Sequence, residues 1–126
     1  MAYLEITRSG TMGLIPTVAT AASDHSHQRG GVERANLDGG PASVGRHVHN
    51  LIVLNDQDVS RHHCIIDQEG SAFTLRDLES HNGTRVNGAI LEEPTRLHDG
   101  DIITVGQTVM KFIDRSVWKR VIGDRT

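Results

Sequence analysis

"CIIDQEGSAFTLRDL", residues 64–78, reads as two strands joined by a turn. Cys64, Ile65 and Ile66 form a short apolar run at its start. Further on, Phe73 and Leu75 alternate with Thr74 and Arg76, the period of two that turns one face of a strand inward. Glu69-Gly70 between them is a turn signal. The same punctuation recurs on both sides, at Asp38-Gly39, Asn87-Gly88, Asp99-Gly100 and Gly106-Gln107. Asn-Gly is the strongest two-residue hairpin turn, because both central residues take positive φ. Gly106-Gln107 suits the mirror type II turn, with glycine first. Between the turns lie the runs "LIVL" (51–54), "TRVN" (84–87), "DIITV" (101–105) and "TVMKFI" (108–113), rich in β-branched residues. Many short strands at this spacing predict an all-β chain folded as an antiparallel β-sandwich. Nothing between residues 45 and 113 reads as a helix.

The flanks differ. A first strand is expected at Tyr3–Thr7 and a second around Glu33–Leu37. Residues 8–31 between them are mostly small and polar, which predicts a flexible loop inserted in a domain spanning 1–113. In the tail, 114–126, Val117, Trp118, Val121 and Ile122 stand at helical spacing. Asp114 or Ser116 is placed to cap a short C-terminal helix, and Gly123 to stop it.

At 126 residues the chain suits one domain with its own core. Aromatic residues make up only 3%, which argues against a base-stacking surface for single-stranded nucleic acid. The net charge of −3 gives no field over the whole chain that would recruit DNA or an anionic membrane. The single cysteine, Cys64, precludes an internal disulfide and fits a reducing compartment. The first ten residues lack the layout of a signal peptide, and no apolar run approaches a membrane span of ~20 residues. A cytoplasmic or other intracellular location is expected, with the isolated domain a monomer.

Three polar clusters interrupt the strand pattern. They are Gly45-Arg46 followed by "HVHN", Ser60-Arg61-His62-His63, and "SHNGTRVNG" from Ser80 to Gly88. All fall at strand ends or in loops, so a sandwich can gather them at one end. Arg46, Ser60, Arg61, His81 and Asn82 would then present hydrogen-bond donors and positive charge together. Such a set suits a phosphate, which accepts charge-assisted bonds from guanidinium, hydroxyl and amide donors.

At these residues the sequence resembles the forkhead-associated (FHA) domain family. That family's pattern places Gly-Arg at a strand end, then Ser-Arg-x-His, then Asp-Leu-x-Ser-x-Asn-Gly-Thr-x-Val-Asn-Gly, then Gly-Asp-x-Ile-x-x-Gly. This chain carries "GR" at 45–46, "SRHH" at 60–63, "DLESHNGTRVNG" at 77–88 and "GDIITVG" at 100–106. The resemblance covers roughly residues 32–113. It implies an FHA/SMAD-like sandwich of about eleven strands whose loops at one end bind a phosphothreonine in a partner protein or peptide, without a cofactor or metal. By position, Arg46 would contact the phosphate and Ser60 would donate its hydroxyl to it. Arg61 would approach the phosphate or the peptide backbone, and Asn82 would hold the peptide main chain. His63 matches the histidine that braces the loops. Gly45, Gly83, Thr84, Asn87 and Gly88 match supporting positions. Where the family often has a serine or threonine before Asn82, this chain has His81, whose imidazole can also donate.

Other readings carry less. Ser60, His63 and an aspartate suggest a hydrolase, but no Gly-x-Ser-x-Gly elbow is present. Cys64 beside His63 suggests a thiol nucleophile, yet a cysteine heading "CIID" belongs to a core. The histidines of "DHSH" (24–27) and "HVH" (47–49) lack partners at metal-ligand spacing. A sandwich that binds partners without phosphate is the alternative function, and the presence of Arg46, Ser60 and Asn82 weighs against it.

Overall fold

A computed structural model describes residues 1–8 and 32–115. The chain forms eleven strands: β1 (Ala2–Arg8), β2 (Val32–Asn36), β3 (Ala42–Gly45), β4 (Ile52–Val53), β5 (Cys64–Glu69), β6 (Ala72–Asp77), β7 (Thr84–Val86), β8 (Ala89–Ile90), β9 (Thr95–Arg96), β10 (Ile102–Val105) and β11 (Thr108–Asp114). They make two sheets, one ordered β2-β1-β11-β10-β7-β8 and the other β4-β3-β5-β6-β9. The expected sandwich and its strand number are thus found. All pairs are antiparallel except β3 with β4, which run parallel. The loop expected over 8–31 and the helix expected over 114–126 fall outside the described residues, except at their edges. There Arg8 ends β1, and Asp114 closes β11 as a buried residue.

Alternation puts the apolar residues between the sheets. β11 turns Thr108, Met110, Phe112 and Asp114 inward, and β6 turns Phe73 and Leu75 inward. Leu4, Ile6, Val44, Ile66, Ile103 and Val105 join the same core. Each large side chain removed from water this way contributes roughly 1.5–3 kcal/mol. The rings of Phe73 and Phe112 meet across the two sheets at 5.4 Å, tilted by 59°. Turn chemistry sets the hairpins. Gly70 has φ +65° as first residue of the β5–β6 turn, and Asn87 and Gly88 both take positive φ between β7 and β8.

Pairing fixes which loops meet. Val44 of β3 lies opposite Cys64 of β5, and Cys64 lies opposite Asp77 of β6. In the other sheet Thr84 of β7 lies opposite Val105 of β10. The end of β3, the start of β5, the end of β6, the start of β7 and the β10–β11 turn therefore share one end of the sandwich. The β6–β7 loop crosses there from one sheet to the other.

Candidate functional site

The three polar clusters meet at this end and are hydrogen-bonded to each other. The Arg46 N–H donates to the Ser60 carbonyl at 3.0 Å, and the His47 N–H to that of Arg61 at 3.2 Å. The Arg46 side chain is exposed, and its Nε donates to the Val59 carbonyl at 3.0 Å. Its terminal nitrogens have no partner among the described residues. Gly45 makes this approach possible, because a Cβ there would overlap the Arg61 carbonyl and stand 2.7 Å from the Asn50 amide nitrogen. Asn50 is buried and donates to both the His47 and the Arg61 carbonyls, at 2.8 and 2.7 Å.

Ser60 joins the second cluster to the third. Its Oγ accepts the His81 N–H at 2.9 Å, which leaves its own proton to point elsewhere. Asn82 is exposed and donates through Nδ2 to the Asp58 carbonyl at 3.0 Å, leaving Oδ1 open. The Arg61 and His81 side chains are exposed, with no hydrogen-bond partner among the described residues.

His63 is fully buried and bridges the two sheets. Its Nδ1 accepts the Ser60 N–H at 3.0 Å, and its Nε2 donates to the Gly83 carbonyl at 2.9 Å. Those partners place the ring proton on Nε2. The same bonds separate Ser60 Oγ from His63, so the two do not form a serine–histidine nucleophile. Cys64 is buried, and burial pushes its thiol up to about 12, which leaves it inert at neutral pH.

Sequence reasoning assigned no role to Asp77, Ser80, Asn50 or Asp56. Asp77 Oδ1 accepts from Ser80 Oγ at 2.6 Å and from Thr84 Oγ1 at 2.7 Å, and its Oδ2 accepts the Ser80 N–H at 3.0 Å. Ser80 Oγ in turn accepts the Gly83 N–H at 3.0 Å. Burial raises the Asp77 pKa, but the Ser80 and Thr84 hydrogen bonds outweigh it and hold the carboxyl below its ordinary value. The Asp-x-x-Ser spacing, an aspartate turn, was the available signal. Asp56 holds the loop before Ser60 against the β10–β11 turn. Its Oδ2 accepts from the Gln107 N–H and from Thr108 Oγ1, both at 2.8 Å. Asn87 accepts the Ile102 N–H through Oδ1 at 2.9 Å and donates to Asp101 at 3.0 Å. Gly88 completes its turn.

Beside the site, His47, His49 and His62 lie close together, with ring centroids 4.6 and 5.4 Å from His47. Among the described residues no group of histidine, cysteine or carboxylate side chains is arranged to hold a metal ion. No described helix is long and apolar enough to cross a membrane.

The FHA-domain family model matches residues 42–106, just over half the chain, and takes in all three clusters. The chain belongs to the FHA-domain family. It is 33% identical over 118 residues to the ABC transporter ATP-binding/permease protein Rv1747 of Mycobacterium tuberculosis, an alignment covering 80% of this chain and 14% of that protein. The FhaA FHA domain, solved in complex with the intracellular domain of Rv3910, superposes with a TM-score of 0.66 at 27% identity, covering 89% of this chain and 99% of that one. An FHA domain solved in a study of phosphothreonine-dependent FHA interactions gives a TM-score of 0.63 at 26% identity, covering 88% of this chain and 95% of the other. FHA domains are non-enzymatic binding modules.

Proposed function

We propose that this FHA domain is a signalling module that binds threonine-phosphorylated partner proteins through Arg46, Ser60, Arg61, His81 and Asn82. The observation that supports it is the gathering of donors without a partner among the described residues, on loops tied to one another at one end of the sandwich. The free end of Arg46 supplies a charged fork, which matches the oxygens of a phosphate. The Ser60 hydroxyl, with its acceptor side occupied by His81 N–H, donates outward. Arg61 adds charge, and the open Oδ1 of Asn82 takes a main-chain N–H of an extended peptide. His81 stands where many family members have a hydroxyl and donates from its imidazole. Gly45, His63, Gly83, Thr84, Asn87 and Gly88 hold these loops and do not touch ligand.

The two similar FHA structures add support, one solved with a partner domain and the other studied for phosphothreonine dependence. Catalysis has no support, since both ring nitrogens of His63 are committed to the backbone. The partner is a phosphorylated protein inside the cell, bound without cofactor, and the chain does not act on nucleic acid or membrane. The module is read as the eleven strands from β1 to β11, which include Arg8 and Asp114.

The deciding experiment compares a threonine peptide library with its phosphothreonine and phosphoserine counterparts. Binding is expected for phosphothreonine and to be largely lost without phosphate, since hydrogen bonds to charged groups contribute about 1.5–3 kcal/mol each. Equal binding of the phosphorylated and plain libraries favours the phosphate-independent alternative and overturns the proposal.

A further inference from the structure

Asn82, proposed to hold the peptide, is followed by Gly83. An asparagine before glycine is prone to lose its amide, because no side chain on the next residue crowds the neighbouring main-chain nitrogen. Asn82 is exposed, so water reaches the amide. The fold itself requires the glycine. Gly83 has φ +86°, and a Cβ there would stand 2.6 Å from Ile90 Cδ1. The binding end therefore keeps a labile pair, and its local bonds oppose the reaction. The Gly83 N–H, which has to lose its proton before its nitrogen can attack, donates to Ser80 Oγ at 3.0 Å. Ser80 Oγ is itself fixed by donating to Asp77 Oδ1 at 2.6 Å. The leaving nitrogen, Asn82 Nδ2, is held by the Asp58 carbonyl at 3.0 Å. The second Asn-Gly pair is held differently. Both amide atoms of Asn87 are tied, Oδ1 to the Ile102 N–H at 2.9 Å and Nδ2 to Asp101 at 3.0 Å.

We propose that Asn82-Gly83 is a spontaneous deamidation site, that the Ser80 hydroxyl sets its rate, and that conversion disables the binding end. The co-reactant is water. The Gly83 nitrogen gives its proton to a solvent base and bonds to Asn82 Cγ. The Cγ–Nδ2 bond breaks, and the amide nitrogen leaves as ammonia with a proton from solvent. The five-membered imide takes up water at either carbonyl and opens to aspartate or to isoaspartate. The loss of binding rests on the phosphopeptide reading above; the chemistry at Asn82 does not. Either product carries a negative charge where a phosphate is to bind. Either also loses the donor that ties this loop to the Asp58 carbonyl. Isoaspartate further lengthens the main chain by one atom. That displaces Gly83, whose N–H meets Ser80 and whose carbonyl meets His63.

The test ages the full chain in mildly alkaline buffer and reads conversion at Asn82 and Asn87 separately, by mass mapping of fragments. Ser80→Ala frees the Gly83 N–H and is expected to speed conversion at Asn82 by about five- to tenfold, the scale of one hydrogen bond. Ser80→Thr keeps a hydroxyl and should return the rate to near that of wild type. Asn87, tied to Asp101 and Ile102, should respond to neither change. Melting curves establish that both variants are folded. Aged protein is then separated by charge, and the converted and unconverted fractions are titrated with a phosphothreonine peptide. Conversion is expected to weaken binding at least about tenfold, and Asn82→Asp to weaken it in fresh protein. Equal rates at Asn82 in wild type and Ser80→Ala, or equal acceleration at Asn87, overturn the control by Ser80. Absence of conversion at Asn82 in every variant overturns the site. Converted protein that binds as tightly as unconverted protein overturns the loss of function. Failure of the unconverted protein to prefer phosphorylated over plain threonine peptide counts against the phosphopeptide reading alone, because the rates at Asn82 are read by mass.

Discussion

The main-chain N–H of Ser60 donates to Nδ1 of His63 across 3.0 Å, so the residue proposed to face phosphate is positioned by a fully buried imidazole. The far side of that ring holds the Gly83 carbonyl. His63→Ala leaves both groups without their partner and opens a void, at a cost of about 2–4 kcal/mol. The urea midpoint should fall accordingly. A midpoint within error of wild type would mean that the ring carries no such bridge.

Arg46 separates differently. Of its side chain, only Nε is tied to the described residues, through the Val59 carbonyl. Arg46→Ala should therefore cost stability by only about 1 kcal/mol, while phosphopeptide affinity falls at least about tenfold. Arg46→Lys keeps the charge but not the fork, and should recover only part of that loss. Titration calorimetry beside thermal melts measures both.

The hairpins were legible because their signals are local. Phe73 and Leu75 alternate, and Asn87-Gly88 places positive φ where a tight turn needs it. The expected strand at 51–54 is observed only as Ile52–Val53, and it pairs in parallel with β3. No sequence pattern announces a partner that follows from the path of another loop. β8 and β9 have two residues each and little burial, too little to show a period. The clustering of Arg46, Ser60 and Asn82 was legible through the family pattern. The part of Asp56 was not, because its partners lie 51 and 52 residues away.

Asp77 links folding to pH. Its folded-state pKa lies below the ordinary carboxylate value, which the unfolded chain keeps. Its contribution is then fully present above the unfolded pKa of about 3.9 and fades as pH falls through the folded one. Asp77→Asn replaces one acceptor oxygen with an amide that meets the donors of the Ser80 turn. The variant should be about 1–3 kcal/mol less stable at neutral pH. That gap should hold steady down to about pH 5 and close below about pH 4. Chemical denaturation of both proteins from pH 2.5 to 7 measures it, and a gap that widens on acidification contradicts the assignment.

Asp56 tests whether the site depends on a residue that does not face ligand. Its carboxylate ties Gln107 and Thr108 to its own loop, its Oδ1 accepts the Asp58 N–H at 2.9 Å, and its carbonyl accepts the Val59 N–H at 3.0 Å. Thr108 is buried, so Asp56→Ala strands its hydroxyl as well as loosening the segment that leads into Ser60. Stability should drop by about 2 kcal/mol, and phosphopeptide affinity should weaken several-fold, well short of the loss on removing Arg46. Gly106 offers an independent route to the same effect. It has φ +59°, and a Cβ there would stand 2.9 Å from Asp56 Oδ2 and from a Val59 methyl. Gly106→Ala is therefore strained by its backbone and pushes Asp56 and Val59 aside. If the loop is held from the β10–β11 turn, both variants lose stability and affinity together, in contrast to Arg46→Ala. Unchanged affinity in both, measured where each is fully folded, would show that Ser60 keeps its place without Asp56.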